Sequence, residues 1–250
     1  MSVEHYKAVR NTIDVVILTT VNKDIQNERS VPKKGIQVLL VKRDSDPYNN
    51  MWTIPGGFVD YEKSISQTVR EKLKQKTGID SMYIEQLYTY GEDIHRDPRD
   101  RVISIGYIAL TTKNNVGIIN AHGEKETAWF WVNTVRDSKS IVTDAQFIKD
   151  GSNEIITDLG FDHKKIIIDA INRLSNKIMY TDIGFKLVSE EFTIKELENS
   201  FETILGKPIP GFRRMIMHKL EATGNSTKTV NNKPDLHRPA QLFRMKQEEI

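Results

Sequence analysis

Cysteine is absent from the 250-residue sequence, which excludes disulfide bonds, thiolate metal sites and a cysteine nucleophile. No apolar run reaches the ~18 residues that a membrane-spanning helix requires. The N-terminal segment mixes charged with apolar residues and lacks the apolar centre of a signal peptide, so we expect a cytoplasmic protein. Neither an internal repeat nor a low-complexity tract is present. With 38% hydrophobic residues, the chain can bury a sizeable core, as one large or two small domains.

Basic charge is concentrated near the C-terminus. Residues 206–247 contain nine lysines and arginines against two acids, a net charge of +7, whereas the whole chain carries only +2. The remainder therefore carries −5. Such a basic segment is typical of a nucleic-acid-binding surface, although a solvated, lysine-rich terminus would have the same composition.

The N-terminal half has the pattern of several strands with one helix between them. Its strand-length runs, the first two apolar enough to be buried on both faces, lie at 13–21, 36–43, 83–90, 102–111 and 127–135. A helix is predicted from Ser64 to Thr77, with Gly78 as its C-cap. Together these elements predict an α/β fold with a mixed sheet between helices.

The last third of the chain has a different pattern. One helix in it begins with a capping box, in which Thr193 pairs with Glu196. Apolar spacing and two prolines predict six elements in this part of the chain. They are a helix at 163–178, a short strand at 185–188, the capped helix at 193–206, a turn at 207–210, a further helix at 211–220 and a hairpin around 231–239. This is the order of a winged helix-turn-helix.

The segment IPGGFVDYEKSISQTVREKLKQKTGI, residues 54–79, combines a Gly-Gly turn, a helix and a terminal Gly-Ile. It resembles the Nudix box, whose helix carries glutamates that bind magnesium and help to activate water. When the pattern is anchored on Gly57, Leu73 and Gly78, its arginine position holds Glu71 and its glutamate positions hold Lys63, Lys72, Gln75 and Lys76. A shift by one residue restores the first half of the pattern but still loses the glutamate pair.

The lysines on this helix argue against a metal site. Lys72 and Lys76 stand four residues apart, so both ammonium groups lie on the face where magnesium would bind. A hard divalent ion needs oxygen ligands. We therefore predict a retained Nudix fold with no metal ligands, no catalytic residues and no hydrolase activity. The alternative is a charged helix in an unrelated α/β domain.

A second segment, HRDPRDRVISIGYIAL at residues 95–110, resembles a loop and strand of Nudix ADP-ribose pyrophosphatases and their regulatory relatives. Three arginines on one loop suit bidentate contacts with phosphate, although ion pairs with the neighbouring aspartates would also explain them. We predict a ligand site that comprises Arg43, Gly57, Arg96, Arg99 and Arg101.

The helix predicted at 211–220 leaves basic side chains on its free face. A recognition helix needs such donors for phosphates and guanine edges in the major groove, and a wing can contact the flanking backbone. The predicted DNA-binding residues are Arg213, Arg214, His218, Lys219, Arg238 and Arg244. A winged helix can also be a protein-interaction module, which is the alternative here.

A Nudix domain followed by a winged helix resembles the NrtR family of Nudix-related transcriptional regulators, and residues 190–220 and 237–246 carry that resemblance most specifically. It implies a homodimeric repressor of NAD and niacin metabolism that binds palindromic double-stranded DNA. Its inactive Nudix domain, residues 1–155, would sense a nucleotide effector such as ADP-ribose without a further cofactor, and residues 156–250 would bind DNA. The alternatives are a sugar-responsive regulator of the same architecture and a Nudix hydrolase acting on ADP-ribose-like nucleoside diphosphates.

Overall fold

The computed structural model describes residues 8–23, 34–78, 82–113, 126–226 and 240–246. The strands are β1 Arg10–Asn22, β2 Lys34–Lys42, β3 Trp52–Thr53, β4 Gly56–Phe58, β5 Tyr83–Tyr90, β6 Val102–Leu110, β7 Thr127–Arg136, β8 Val142–Lys149, β9 Ile155–Ile156, β10 Leu220–Ser226 and β11 Gln241–Met245. The helices are α1 Ile65–Thr77, α2 His163–Lys177, α3 Ile194–Leu205 and α4 Phe212–Ile216, with 3₁₀ helices at Asp182–Leu187 and Met217–Lys219.

The first nine strands form one mixed sheet. Its order is β5-β6-β1-β2-β7-β8-β9, with β3 paired to β2 and β4 paired to β1. β1 runs parallel to β6, and the other pairings described in this sheet are antiparallel. β1 and β2 lie in the middle because their residues are apolar and buried on both faces. The predicted mixed sheet between helices is confirmed.

Successive residues of β1 pack on opposite faces of this sheet. Val15 and Ile17 pack in the same core as Leu73 of α1. Val16 and Leu18 belong to the core on the other side, which α2 covers. That second core continues without a break into α3, α4 and the β10–β11 hairpin. The sheet and the C-terminal unit are therefore joined by buried apolar contacts.

α3 begins at its predicted capping box, and α1, predicted from Ser64, begins one residue later at Ile65. Ser64 and Thr193 are their N-caps, each in a capping box. Gly78 and Gly206 close the two helices in the left-handed conformation, with φ of 70° and 69°, which other residues adopt only with strain. The helices predicted at these positions are confirmed.

The C-terminal unit consists of α3, α4 and the β10–β11 hairpin. The rings of Phe201 and Phe212 meet at 5.1 Å and join the two helices. Main-chain hydrogen bonds between Phe192 and Phe243 attach the hairpin to the segment before α3. This is the predicted helix-turn-helix with a wing. Among the helices that the structure describes, none is long and apolar enough to cross a bilayer.

The strand predicted at residues 185–188 is wrong, because the 3₁₀ helix Asp182–Leu187 occupies this segment. The Thr181 side chain caps it by accepting a hydrogen bond from the Ile183 N–H. Gly184 packs directly under the Phe201 ring, since an added Cβ would lie only 2.2 Å from it. Local capping and close packing on α3 decide the conformation here, and apolar composition alone does not reveal them.

The helix predicted at residues 211–220 is shorter than expected. α4 ends at Ile216, a 3₁₀ turn follows, and Leu220 already belongs to β10. The reason is the hairpin, because Leu220 pairs with Met245 of β11. The turn predicted at Gly56-Gly57 is wrong, because both glycines belong to β4 and pair with β1. The sequence also missed β3, β4, β8 and β9. Three of these have only two or three residues, and β8 exposes polar residues along its length.

Candidate anion-binding cavity and nucleic-acid interface

A cavity of about 360 Å³ opens where β1, β4, the loop before β6 and the start of α2 meet. Its volume falls within the range of small-molecule sites. Its charged and aromatic lining residues are Asp14, Lys42, Arg43, Asp44, Phe58, Lys72, Arg96, Asp97, Arg99, Phe161 and His163. The excess of lysine and arginine in this lining makes it a candidate site for an anion.

Four of the five predicted ligand residues line this cavity, namely Arg43, Gly57, Arg96 and Arg99. The structure does not bring Arg101 to it. The Arg101 guanidinium instead donates to the main-chain carbonyls of Gly91 and Asp93, at 2.7 and 3.3 Å. Arg101 therefore braces its own loop, and the sequence could not separate it from the other arginines of that loop.

A buried ionic cluster forms the floor of the cavity. Arg96 donates to both carboxylate oxygens of Asp162, at 3.0 and 2.6 Å, and lies 3.5 Å from Asp14. The Ser104 hydroxyl donates to Asp14 at 2.5 Å. Burial alone would raise the pKa of Asp14, but His163, Ser104 and Arg96 together hold that pKa below its ordinary value. Arg96 is thus already engaged by two carboxylates before any ligand arrives.

His163 connects this cluster to the beginning of α2. Its Nδ1 accepts a hydrogen bond of 3.1 Å from the Ile54 N–H. A neutral imidazole in this position therefore carries its proton on Nε2, which lies 3.5 Å from the Asp14 carboxylate. The first residue of α2 is consequently tied both to β1 and to Ile54, which lies between β3 and β4.

Two arginines share one aromatic ring on the cavity wall. The guanidinium carbons of Arg43 and Arg99 lie 5.1 and 5.5 Å from the centre of the Phe161 ring. Arg99 also lies over Phe58 at 5.1 Å and pairs with Asp97 at 2.6 Å. Burial and the nearby Arg99 charge lower the pKa of Arg43. An anionic ligand at this wall would relieve the repulsion between the two guanidinium groups.

Phe161 itself has an unfavourable backbone conformation. Its φ is +58°, and Tyr48, whose ring lies 4.7 Å away, has a φ of +66°. Such values are uncommon outside glycine and concentrate at functional sites. Phe161 directly precedes Asp162 and His163, so three consecutive residues carry contacts from the cavity to α2.

α1 presents a lysine to the cavity where a Nudix enzyme needs carboxylates. Lys72 lines the cavity, Glu71 pairs with Lys63 at 2.6 Å, and Gln75 is exposed. The Lys76 side chain lies outside the described residues, so the expectation that it shares one helix face with Lys72 stays a prediction. Among the residues that the structure describes, no group of three or more histidines and acids could hold a metal ion. The side chains present do not fit a magnesium site.

The predicted recognition helix presents its basic side chains to solvent. Arg213 and Arg214 on α4 and His218 in the following turn are exposed, whereas Phe212 and Ile216 are buried. Gly211 opens this helix with φ of +74°, a conformation that glycine adopts without strain. The helix thus has one apolar face toward the core and one basic face that is free for a partner.

The remaining predicted DNA contacts differ in their surroundings. Lys219 donates to Asp182 at 2.6 Å, and Arg244 on β11 forms an ion pair with Glu221 on β10. Arg238 lies outside the described residues. Two of the predicted cations are therefore already paired, Lys219 with an acid of the 3₁₀ helix before α3 and Arg244 with an acid of the hairpin.

α2 links the cavity to the winged helix. It begins with His163 at the cavity, and near its other end the Ser175 hydroxyl donates to the Ile204 carbonyl of α3 at 2.8 Å. Arg136 of β7 donates to the carbonyls of Ile204 and Leu205 at 2.8 and 3.4 Å. The last turn of α3 is therefore held by α2 and by the sheet together.

Sequence reasoning missed several residues of the cavity. Asp14, Phe58, Phe161 and His163 all line it. Asp14 gave a usable signal, since it is the one charged residue in the buried run of β1, and buried charges need partners. Phe161 and His163 gave no such signal, because only the fold brings them beside Gly56 and Gly57. Phe58 directly follows these glycines, but no sequence pattern marks it as a cavity residue.

Comparisons with known proteins agree with this architecture. Residues 27–150 match the NUDIX domain and residues 184–245 match the NrtR DNA-binding winged helix domain. The "ADPR responsive transcriptional repressor NtrR" of Acinetobacter baylyi is 34% identical over 219 residues, which are 86% of this chain and 78% of that protein.

Solved structures of other proteins resemble nearly the whole chain. Shewanella oneidensis NrtR complexed with a 27mer DNA has 30% identity and a TM-score of 0.68, covering 94% of this chain and 93% of that one. A MutT/nudix family protein from Enterococcus faecalis has 25% identity and a TM-score of 0.71, covering 98% and 90%. The predicted resemblance and fold are confirmed: the chain belongs to the NrtR family, in which a Nudix domain precedes a winged helix domain.

Proposed function

We propose that this chain is a DNA-binding transcriptional repressor of NAD metabolism whose Nudix cavity senses ADP-ribose. The observation that carries the proposal is the presence, in one chain, of an exposed basic α4 and a cavity walled by Arg43, Arg99 and Lys72. The similar repressor from Acinetobacter is named as ADPR responsive, and the similar Shewanella protein was solved with DNA. Both support this reading.

The cations of the cavity favour a diphosphate-containing effector over an uncharged sugar. Arg43 and Arg99 face the cavity together, and a neutral ligand would displace their water without supplying negative charge. Phosphate oxygens match guanidinium groups in geometry and charge. Phe58 and Phe161 add aromatic surface against which a base or ribose can pack.

Hydrolysis is the second candidate function, and the side chains of α1 argue against it. Lys72 lines the cavity, and an ammonium group neither binds magnesium nor accepts a proton from water while it is charged. We propose that the Nudix domain binds without turnover. Incubation of ADP-ribose with magnesium should release no AMP above a buffer control. Hydrolysis of ADP-ribose at about 1 s⁻¹ or faster would instead show that the protein is a hydrolase.

We further propose that a homodimer places two copies of α4 on a palindromic operator. A two-fold protein reads half-sites about one helical turn, or a multiple of it, apart. The same proposal places the boundary between the Nudix domain and the DNA-binding unit between residues 155 and 156. It assigns α2, which touches both α3 and the sheet, to the DNA-binding unit.

The decisive experiment measures DNA binding by fluorescence anisotropy with duplexes from the protein's own upstream region. ADP-ribose should change the affinity, and equal concentrations of ribose, AMP and NAD should serve as matched ligands. Release by a sugar but not by ADP-ribose would support the sugar-responsive alternative. Absence of specific binding to any upstream duplex, with a folded dimer, would contradict the regulator assignment.

A further inference from the structure

Lys72 holds a specific position above the two glycines of β4. A Cβ added to Gly57 would lie 3.3 Å from Lys72 Cε and 3.8 Å from its Nζ. The Lys72 side chain therefore leaves α1 and crosses β4 at Gly57 at van der Waals distance, with its ammonium group in the lining of the cavity. Glycine at position 57 allows this approach, because a side chain there would compete for the same space.

The acids near Lys72 are occupied by a different lysine. Lys63 pairs with Glu71 at 2.6 Å and with Asp60 at 3.3 Å. In the described ranges no carboxylate lies within ion-pair distance of the Lys72 ammonium. Its three N–H donors therefore remain available to a ligand in the cavity.

The cavity has cations on two sides. Lys72 approaches from α1, and Arg43 and Arg99 approach from the side of Phe161. Arg43 uses its Nε to donate to the Pro47 carbonyl at 2.7 Å, which fixes the side chain and leaves its terminal nitrogens free for other acceptors. Lys72, Arg43 and Arg99 bring three positive charges to one cavity of about 360 Å³.

We propose that Lys72 replaces a divalent cation at this site, so that the protein binds a nucleoside diphosphate group without metal. The ammonium group contacts the phosphate oxygens from the α1 side, while Arg43 and Arg99 contact them from the other. An ammonium is a compact point charge that binds phosphate well, and it repels a divalent ion from the same position. This inference rests on the proposed function, since it concerns the ligand of the same cavity.

The test is titration calorimetry with ADP-ribose on the full chain, once in EDTA and once in magnesium. The wild-type protein should bind equally well in both buffers. Lys72→Met should weaken binding about tenfold or more in both, because one charge-assisted contact is lost. Lys72→Glu should bind more weakly still in EDTA, and magnesium should recover part of the loss, because the carboxylate supplies an oxygen ligand.

Arg70→Gln is the matched control, because Arg70 is exposed on the same helix and does not line the cavity. Thermal unfolding and DNA binding show whether each variant is folded. Unchanged affinity in Lys72→Met, or wild-type binding that disappears in EDTA, would overturn the inference.

A wild-type protein that binds no ADP-ribose in either buffer would instead defeat the nucleotide assignment. Inorganic pyrophosphate is then titrated in EDTA. Binding that Lys72→Met loses would support the metal-free anion site on its own, and absence of binding would overturn it as well.

Discussion

The Ser175 hydroxyl of α2 donates a hydrogen bond of 2.8 Å to the Ile204 carbonyl in the last turn of α3. The same α2 starts at His163 in the cavity wall. Its 15 residues span about 22 Å at the rise of an α-helix. We therefore expect a shift of the helix start on ligand binding to reach the winged helix through this one element, because coupling between two sites needs a physical connection between them.

Ser175→Ala should weaken the communication between the two sites while each site still binds. The lost hydrogen bond contributes about 1 kcal/mol, so the factor by which ADP-ribose changes DNA affinity should fall about fivefold. Anisotropy titrations of DNA with and without ADP-ribose measure this factor. Ser152→Ala, at an exposed position, is the control. An unchanged factor would exclude this contact as part of the coupling.

Arg213 and Arg214 should be the residues of α4 that recognise the bases of the operator. Either substitution by alanine should cost about 1–3 kcal/mol of binding to the operator and relax base preference at one position. Lys165→Ala on α2, where the lysine is exposed and paired with Asp169, is the control. A folded Arg213→Ala, Arg214→Ala protein with unchanged operator affinity would show that another element reads the DNA.

The ion pair of Arg244 with Glu221 predicts opposite effects for its two members. Arg244→Ala should weaken binding to all duplexes alike and lower the salt slope by about one unit. Glu221→Gln removes a negative charge from the wing, so it should strengthen binding to both specific and random duplexes. Salt titrations of the two variants measure both effects. If Glu221→Gln binds no better than wild type, the hairpin does not face the DNA backbone.

Asp14 should make stability depend on pH in the acidic range. Its pKa is lowered in the folded protein by His163, Ser104 and Arg96 against the cost of burial. The unfolded chain therefore takes up this proton first as pH falls, and the contribution of Asp14 is complete above the ordinary carboxyl pKa of about 3.9 and is lost below it.

Asp14→Asn should accordingly lower the free energy of unfolding by about 3 kcal/mol at neutral pH, as removal of one partner from a buried ionic cluster does. The difference from wild type should shrink as the pH falls below about 4. Urea unfolding at neutral pH and below pH 4 measures the difference in the free energy of unfolding. Asp158→Asn, at an exposed position, is the control. A difference that stays constant with pH would show that the Asp14 charge is not its source.

Local signals explain which parts of the fold the sequence predicts well. The capping boxes at Ser64 and Thr193 and the closing glycines Gly78 and Gly206 depend on residues within one helix. The segment from Asp182 to Leu187 has no comparable rule, because the packing of Gly184 on Phe201 decides its conformation. That contact joins two elements that sequence reading treats separately.

The cavity residues likewise divide into those that local sequence signals predict and those that only the fold brings together. The sequence predicts Arg96 and Arg99 as ligand residues because they share one loop, and the motif register predicts that α1 lacks the glutamates of a metal site. Their separate tasks depend on distant partners, since Arg96 is held by Asp162 and Asp14. His163 could not be found because the hydrogen bond from Ile54 that positions it joins residues far apart in the chain.

The carbonyls at the end of α3 are bound by Arg136, which belongs to β7 of the sheet. Gly206 accommodates it, because an added Cβ would lie 2.5 Å from the Arg136 Nε. A chimaera that joins this DNA-binding unit to another member's Nudix domain would therefore keep Gly206 but lose the side chain that binds these carbonyls, unless position 136 of the recipient is also arginine. Exchange of operator specificity between relatives must transfer residues from both parts of the chain.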